Sequence, residues 1–145
     1  MTQEIMQAKM EIKELVDTFS ILADEKDVKT QADLFAEDAV LTSYQGEQKI
    51  SEQHGREEIE AGCAAFLALF DTVYHMNGQQ VVHVDGDHAK GKSYCQVVLI
   101  GKNEEGKRVR NMQGVWYEDE YVKQDGRWLI ANRTSHFTWT DVKEV

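Results

Sequence analysis

The chain has 145 residues, 41% of them hydrophobic and 29% charged, the size and mixture of one globular domain with a single core, which excludes disorder, collagen and coiled coil. Twenty-six Asp and Glu against 16 Lys and Arg leave a net charge of -10, so the molecule repels polyphosphates and nucleic acid is not expected as a partner. The opening MTQEIMQAKMEIKE lacks the basic flank and apolar run of a signal peptide, no segment has the apolar length of a membrane span, and Cys63 and Cys95 lack CxxC spacing. A cytoplasmic chain with reduced thiols and no membrane partner is expected.

No linker, repeat or proline divides residues 1–145, so one domain is expected. From Ile12 the apolar positions Ile12, Leu15, Val16, Phe19, Leu22 and Ala23 recur at i, i+3, i+4, the stripe of a helix lying on a core and ending near Asp24. Asp27 caps a short second helix, with Val28, Leu34 and Phe35 inward, that ends by Glu37. A strand follows over Ala39 to Tyr44, and Ser51 or His54 with Gly55 opens a third helix, Arg56 to Phe70. The period then changes from 3.6 to 2: four strands near 72–84, 88–100, 107–123 and 127–139 are separated by VDGD, GKNEEGK and KQDG turns, with a bulge at Asn77-Gly78. The fold class is therefore α+β, with helices closing one side of a bent antiparallel meander and a concave pocket between them.

Alternation places Val73, His75 and Asn77 on one face of the first long strand, and Ala89, Gly91, Ser93, Cys95, Val97 and Leu99 on one face of the second. Such small side chains leave room for a ligand, although a closely packed helix would demand the same residues. His75 is the histidine that points into that space, whereas His83 and His88 flank a turn and face water. A lone core histidine is more often structural than functional. Asp24 stands at a helix C-terminus, where the dipole disfavours a negative charge, so its placement calls for either a partner or full solvation. Tyr44, ending the first strand, offers a phenol donor, and Cys95 without a base nearby reads as a small hydrophobe. There is no HExxH or His/Cys cluster, no GxGxxG, no GxxxxGK[ST] and no GxSxG, so neither a metal nor any other cofactor is expected.

In order and spacing, IKELVDTFSILADEKD, LFAEDAVLTSYQG, GREEI, VYHMNG, VDGDHAKG and GVWYEDEYVKQDGRWLIANR resemble the SnoaL-like branch of the nuclear transport factor 2-like superfamily. The resemblance implies a cone: a strongly bent antiparallel sheet wrapped around three N-terminal helices, commonly homodimeric through the outer face of the sheet. Within the superfamily the pattern is nearest to bile-acid 7α-dehydratase and scytalone dehydratase, whose helix-one aspartate, strand-one tyrosine and cavity histidine match Asp24, Tyr44 and His75. It implies a base, His75, oriented by Asp24, that removes a proton beside a carbonyl while Tyr44 donates to the enolate. Phe19, Val97 and Phe137 stand where the bile-acid enzyme has a tyrosine, an aspartate and a late arginine. The expected ligand is therefore a small hydrophobic molecule with one polar end near His75, Tyr44, Asn77, Asn111 or Tyr117, with Cys95 also facing it. Three readings remain open on sequence: a cofactor-independent dehydratase or isomerase acting on an apolar cyclic carbonyl compound, a non-catalytic ligand-binding or oligomerisation module, and a filled cone whose function lies on a surface carrying Trp116, Trp128 and Trp139.

Overall fold

The computed structural model describes residues 1–145 as three helices and a curved, unclosed six-stranded sheet. Helix α1 (Gln3–Asp24) starts at Thr2, whose Oγ1 accepts the Ile5 N–H at 3.2 Å, and buries the stripe Ala8, Ile12, Leu15, Val16, Phe19 and Ala23. Each large aliphatic side chain so buried contributes about 1.5–3 kcal/mol. The chain leaves α1 through Lys26, at φ 58, and Asp27 caps α2 (Val28–Ala32) by accepting the Thr30 N–H at 3.3 Å.

Helix α2 stops at Ala32, short of the expected Glu37, and β1 (Phe35–Gln45) takes over. Local pattern is overridden here by tertiary pairing: the Leu34 carbonyl accepts the Ile130 N–H, and Phe35, Ala36 and Ala39 enter the core. Strand β2 (Gln48–His54), absent from the sequence reading, forms a hairpin with β1 through Gly46 at φ 59; Ser51 lies within this strand and not at a helix start. Helix α3 (Gly55–Leu67) follows and stops short of the expected Phe70, with Glu58 accepting the His54 N–H at 3.0 Å.

The meander β3 (Thr72–Asp85), β4 (His88–Lys102), β5 (Arg108–Gln124) and β6 (Arg127–Glu144) follows the period-2 reading, including a register shift between Asn77 and Gln80. The sheet order is β2-β1-β6-β5-β4-β3, and every neighbouring pair is antiparallel except β1 with β6. That parallel pair joins the first hairpin to the meander.

Two apolar clusters fill the concavity. One packs α1 against β1, β4, β5 and β6 through Ile12, Phe35, Ala89, Tyr121, Trp128 and Ile130; the other gathers Ala23, Leu67, Val73, Cys95, Val97 and Tyr117 around the opposite end. The stripe of small β4 residues both admits close packing and leaves room. At Gly91 a Cβ would stand 3.0 Å from the Tyr121 ring, so this half is filled, whereas Val97 and Leu99 border open space. Trp128 is buried in the core and does not belong to a surface; Trp139 is exposed on the outer face with Tyr74, Met76 and Tyr94. No helix is long and apolar enough to cross a membrane.

Candidate active site

A cavity of about 490 Å³ opens between the concave face of the sheet and all three helices. His75 enters it from β3, and the end of α1 meets His75 there. The imidazole Nδ1–H donates to Asp24 Oδ1 at 2.7 Å, and the His75 backbone N–H donates to Asp24 Oδ2 at 3.2 Å. One carboxylate thus holds both the ring and the strand that carries it. These two bonds answer the unfavourable placement of Asp24 at a helix C-terminus. The His75 side chain is 11% exposed and Asp24 25%, so the ring lies mostly shielded at the cavity wall while its carboxylate partner keeps some contact with solvent. With Nδ1 donating, Nε2 is the ring atom left to accept a proton.

Of the other candidates, Phe19, Val97, Tyr117 and Phe137 border the cavity. Four do not. Tyr44 lies on the outer face, its ring stacked on His136 at 5.5 Å, because alternation along β1 turns Leu41, Ser43 and Gln45 inward and Tyr44 outward. Asn77 points at α1, donating to Asp17 at 3.0 Å and Ser20 at 3.0 Å, which pins the β3 bulge to the helix. Asn111 pairs across from Leu99, one inward position beyond Gln113, and stays outside the cavity wall. Cys95 is buried at the back of Tyr117 and its thiol contacts the Gln96 carbonyl at 3.6 Å. The wall is also more polar than expected, since Gln31, Gln53, Gln113, Arg133 and Ser135 share it with the apolar side chains.

Arg133 on β6 is the main residue that sequence reasoning missed. Its side chain is 1% exposed and lies directly across the sheet from Asp119, giving Nε and Nη2 to the two carboxylate oxygens at 2.9 Å each. Tyr121 donates to the same carboxylate at 2.7 Å. The guanidinium rests over the Tyr117 ring at 3.9 Å and the Phe19 ring at 4.5 Å, and Nη1 has no partner in the protein. Burial opposes its charge, but the Asp119 carboxylate outweighs that effect and raises the Arg133 pKa, so the group is permanently cationic. Burial raises the Tyr117 phenol in turn, keeping it a neutral donor. A signal for the pair was present in the sequence: Asp119 and Arg133 occupy inward positions of consecutive strands, two from Tyr117 and two from Ser135.

Cys63 on α3 also borders the cavity, and burial pushes its thiol up to about 11, only partly offset by Arg133; burial does the same to Cys95, up to about 11. Alkylation of either thiol by iodoacetamide at pH 7 is expected to be on the order of a hundredfold slower than for an ordinary cysteine, rising about tenfold per pH unit as the thiolate forms. Mass spectrometry of native and urea-unfolded protein reads this directly, with both residues labelled rapidly only after unfolding.

Residues 4–134 match the family model described as a SnoaL-like domain. The uncharacterized protein Rv2910c of Mycobacterium tuberculosis is 25% identical over 86% of this chain and 82% of its own length. Among solved structures, a scytalone dehydratase-like protein of Novosphingobium aromaticivorans DSM 12444 superposes with a TM-score of 0.84 at 22% identity, covering 100% of this chain and 93% of that one. LinA superposes with a TM-score of 0.77 at 22% identity over 93% of this chain and 88% of its own. The curved sheet, the three helices and the match along most of its length show that the chain belongs to the SnoaL-like domain family.

Proposed function

We propose that the protein is a cofactor-independent dehydratase or isomerase acting on a mostly apolar cyclic carbonyl compound. The observation that carries this reading is the His75–Asp24 hydrogen bond of 2.7 Å at the wall of a cavity large enough for a bicyclic ligand. Asp24 holds the tautomer whose Nε2 is unprotonated, and Nε2 takes a proton from the carbon next to the ligand carbonyl. The electron pair moves onto the carbonyl oxygen, where Arg133 Nη1–H and the Tyr117 hydroxyl supply the stabilisation that the resemblance assigned to Tyr44. Where the ligand carries a hydroxyl one carbon further on, the enolate re-forms the carbonyl and a C=C bond as the hydroxyl departs. The proton held by His75 leaves with it, giving water. Without that hydroxyl, return of the proton to another carbon gives an isomer. The likeness in fold to a scytalone dehydratase-like protein is in keeping with this chemistry.

Simple ketones suffice for the test, whatever the natural substrate. In deuterium oxide the protein should exchange the α-protons of bicyclic ketones faster than buffer does, read by mass spectrometry or proton NMR. A panel of cyclic ketones and hydroxy-ketones that binds without any catalysed exchange would overturn the enzymatic reading and leave a ligand-binding module of the same fold.

A further inference from the structure

Two residues that line the cavity each carry a fully buried polar atom with no partner, and the two atoms are opposite in kind. Arg133 Nη1 is a donor; Gln31 Oε1 is an acceptor. Gln31 on α2 is 3% exposed, and its Nε2 donates to the Phe19 carbonyl at 3.3 Å. This bond fixes which end of the amide is which, because the flipped side chain would set two carbonyl oxygens against each other. Buried side-chain acceptors are nearly always satisfied, and no donor of the protein reaches this one. An acceptor left open beside a ligand cavity is matched by an O–H or N–H on the ligand. The charge on Arg133 is already answered by Asp119, so the wall asks for a neutral ligand and not for a carboxylate.

We propose that Gln31 is a specificity residue whose Oε1 accepts a hydrogen bond from a ligand hydroxyl, so that the cavity selects hydroxy-ketones over plain ketones. The assignment rests on the reading of the cavity as a ketone site: the carbonyl takes the donors of Arg133 and Tyr117, and the hydroxyl takes the acceptor of Gln31. A site built around such an acceptor discriminates by leaving it unpaired when the wrong ligand binds.

Isothermal titration calorimetry with three probes tests it: decalone, a decalone carrying a hydroxyl on the ring remote from the carbonyl, and the methyl ether of that alcohol. The wild-type protein is expected to bind the hydroxy compound about tenfold more tightly than decalone, the factor of one good hydrogen bond. The ether, which accepts but cannot donate, should show no gain. Gln31→Met keeps the length of the side chain and removes the acceptor, and it should bring the ratio of hydroxy-decalone to decalone affinity to about one, whatever the absolute affinity of the variant for decalone. Equal affinity for decalone and its hydroxy derivative, or an ether that binds as tightly as the alcohol, overturns the role of Gln31 and leaves the ketone site standing. The ether comparison uses wild-type protein, so it decides even if Gln31→Met folds poorly. If decalone itself does not bind, the ketone reading falls and this assignment falls with it.

Discussion

His75→Ala is expected to lower the catalysed exchange of ketone α-protons by about 10²–10⁴-fold, the share general-base catalysis usually supplies, at a cost of only about 1–2 kcal/mol in stability. The asymmetry follows from the site. Asp24 is 25% exposed and keeps the His75 backbone N–H at 3.2 Å, so losing the ring does not strand a buried charge. Asp24→Asn should come close to the same loss of exchange with the fold intact. The asparagine carbonyl can take the place of Oδ2 and accept the backbone N–H, while its NH2 replaces Oδ1 and donates to Nδ1. The ring is then held in the opposite tautomer, with Nε2–H facing the cavity as a donor and no longer a base. A purely structural dyad would give the reverse pattern: unfolding shifts in urea for both variants and unchanged exchange per folded molecule.

Arg133→Met should be the most destabilising single substitution in the site, with about 3–5 kcal/mol lost in urea unfolding. It leaves the Asp119 carboxylate fully buried with one remaining donor, the Tyr121 hydroxyl at 2.7 Å. The double variant Arg133→Met with Asp119→Leu removes both charges together and should recover most of that loss, because an apolar pair of similar volume is often as stable as a buried ion pair. Its exchange activity should stay low, since Nη1 is gone from the cavity wall. Recovery of both stability and exchange in the double variant would remove Arg133 from the chemistry. No recovery of stability would show that the space around Phe19 and Tyr117 depends on the planar guanidinium itself.

The sequence was legible wherever a period ran long enough to fix a face. The stripe of α1 located Asp24 at its end; the alternation of β3 and β4 turned His75, Val97 and Leu99 inward; and the Asn77-Gly78 interruption appeared as a bulge. It failed at short elements. The polar edge strand β2 has one exposed side and little apolar alternation to reveal it, and the switch from α2 to β1 at Phe35 is imposed by a pairing with Ile130 that no local window contains. Tyr44 is misplaced when its residue type is weighed ahead of its parity on the strand. Arg133 and Asp119 escape notice for the opposite reason. Charges are usually solvated, so two of them on inward positions pass as surface, although their register across β5 and β6 makes each the other's partner.

The parallel pairing of β1 with β6 also sets the order in which this molecule can assemble. The strands β3 to β6 are joined by tight turns and can zip from neighbour to neighbour, but β1 finds Asn132 to Phe137 only after nearly the whole chain has been made and folded back. Loop-closure entropy opposes that step until late, so folding should be slow for a domain of this length. His75 and Arg133 both lie in the early meander, whereas Ser43, Gln45 and Gln53 come from the hairpin that docks last. The cavity face that carries His75 and Arg133 would therefore pair before α1 and the first hairpin complete the cavity, and a ligand that bridges these parts would hasten completion of the fold as well as stabilise it.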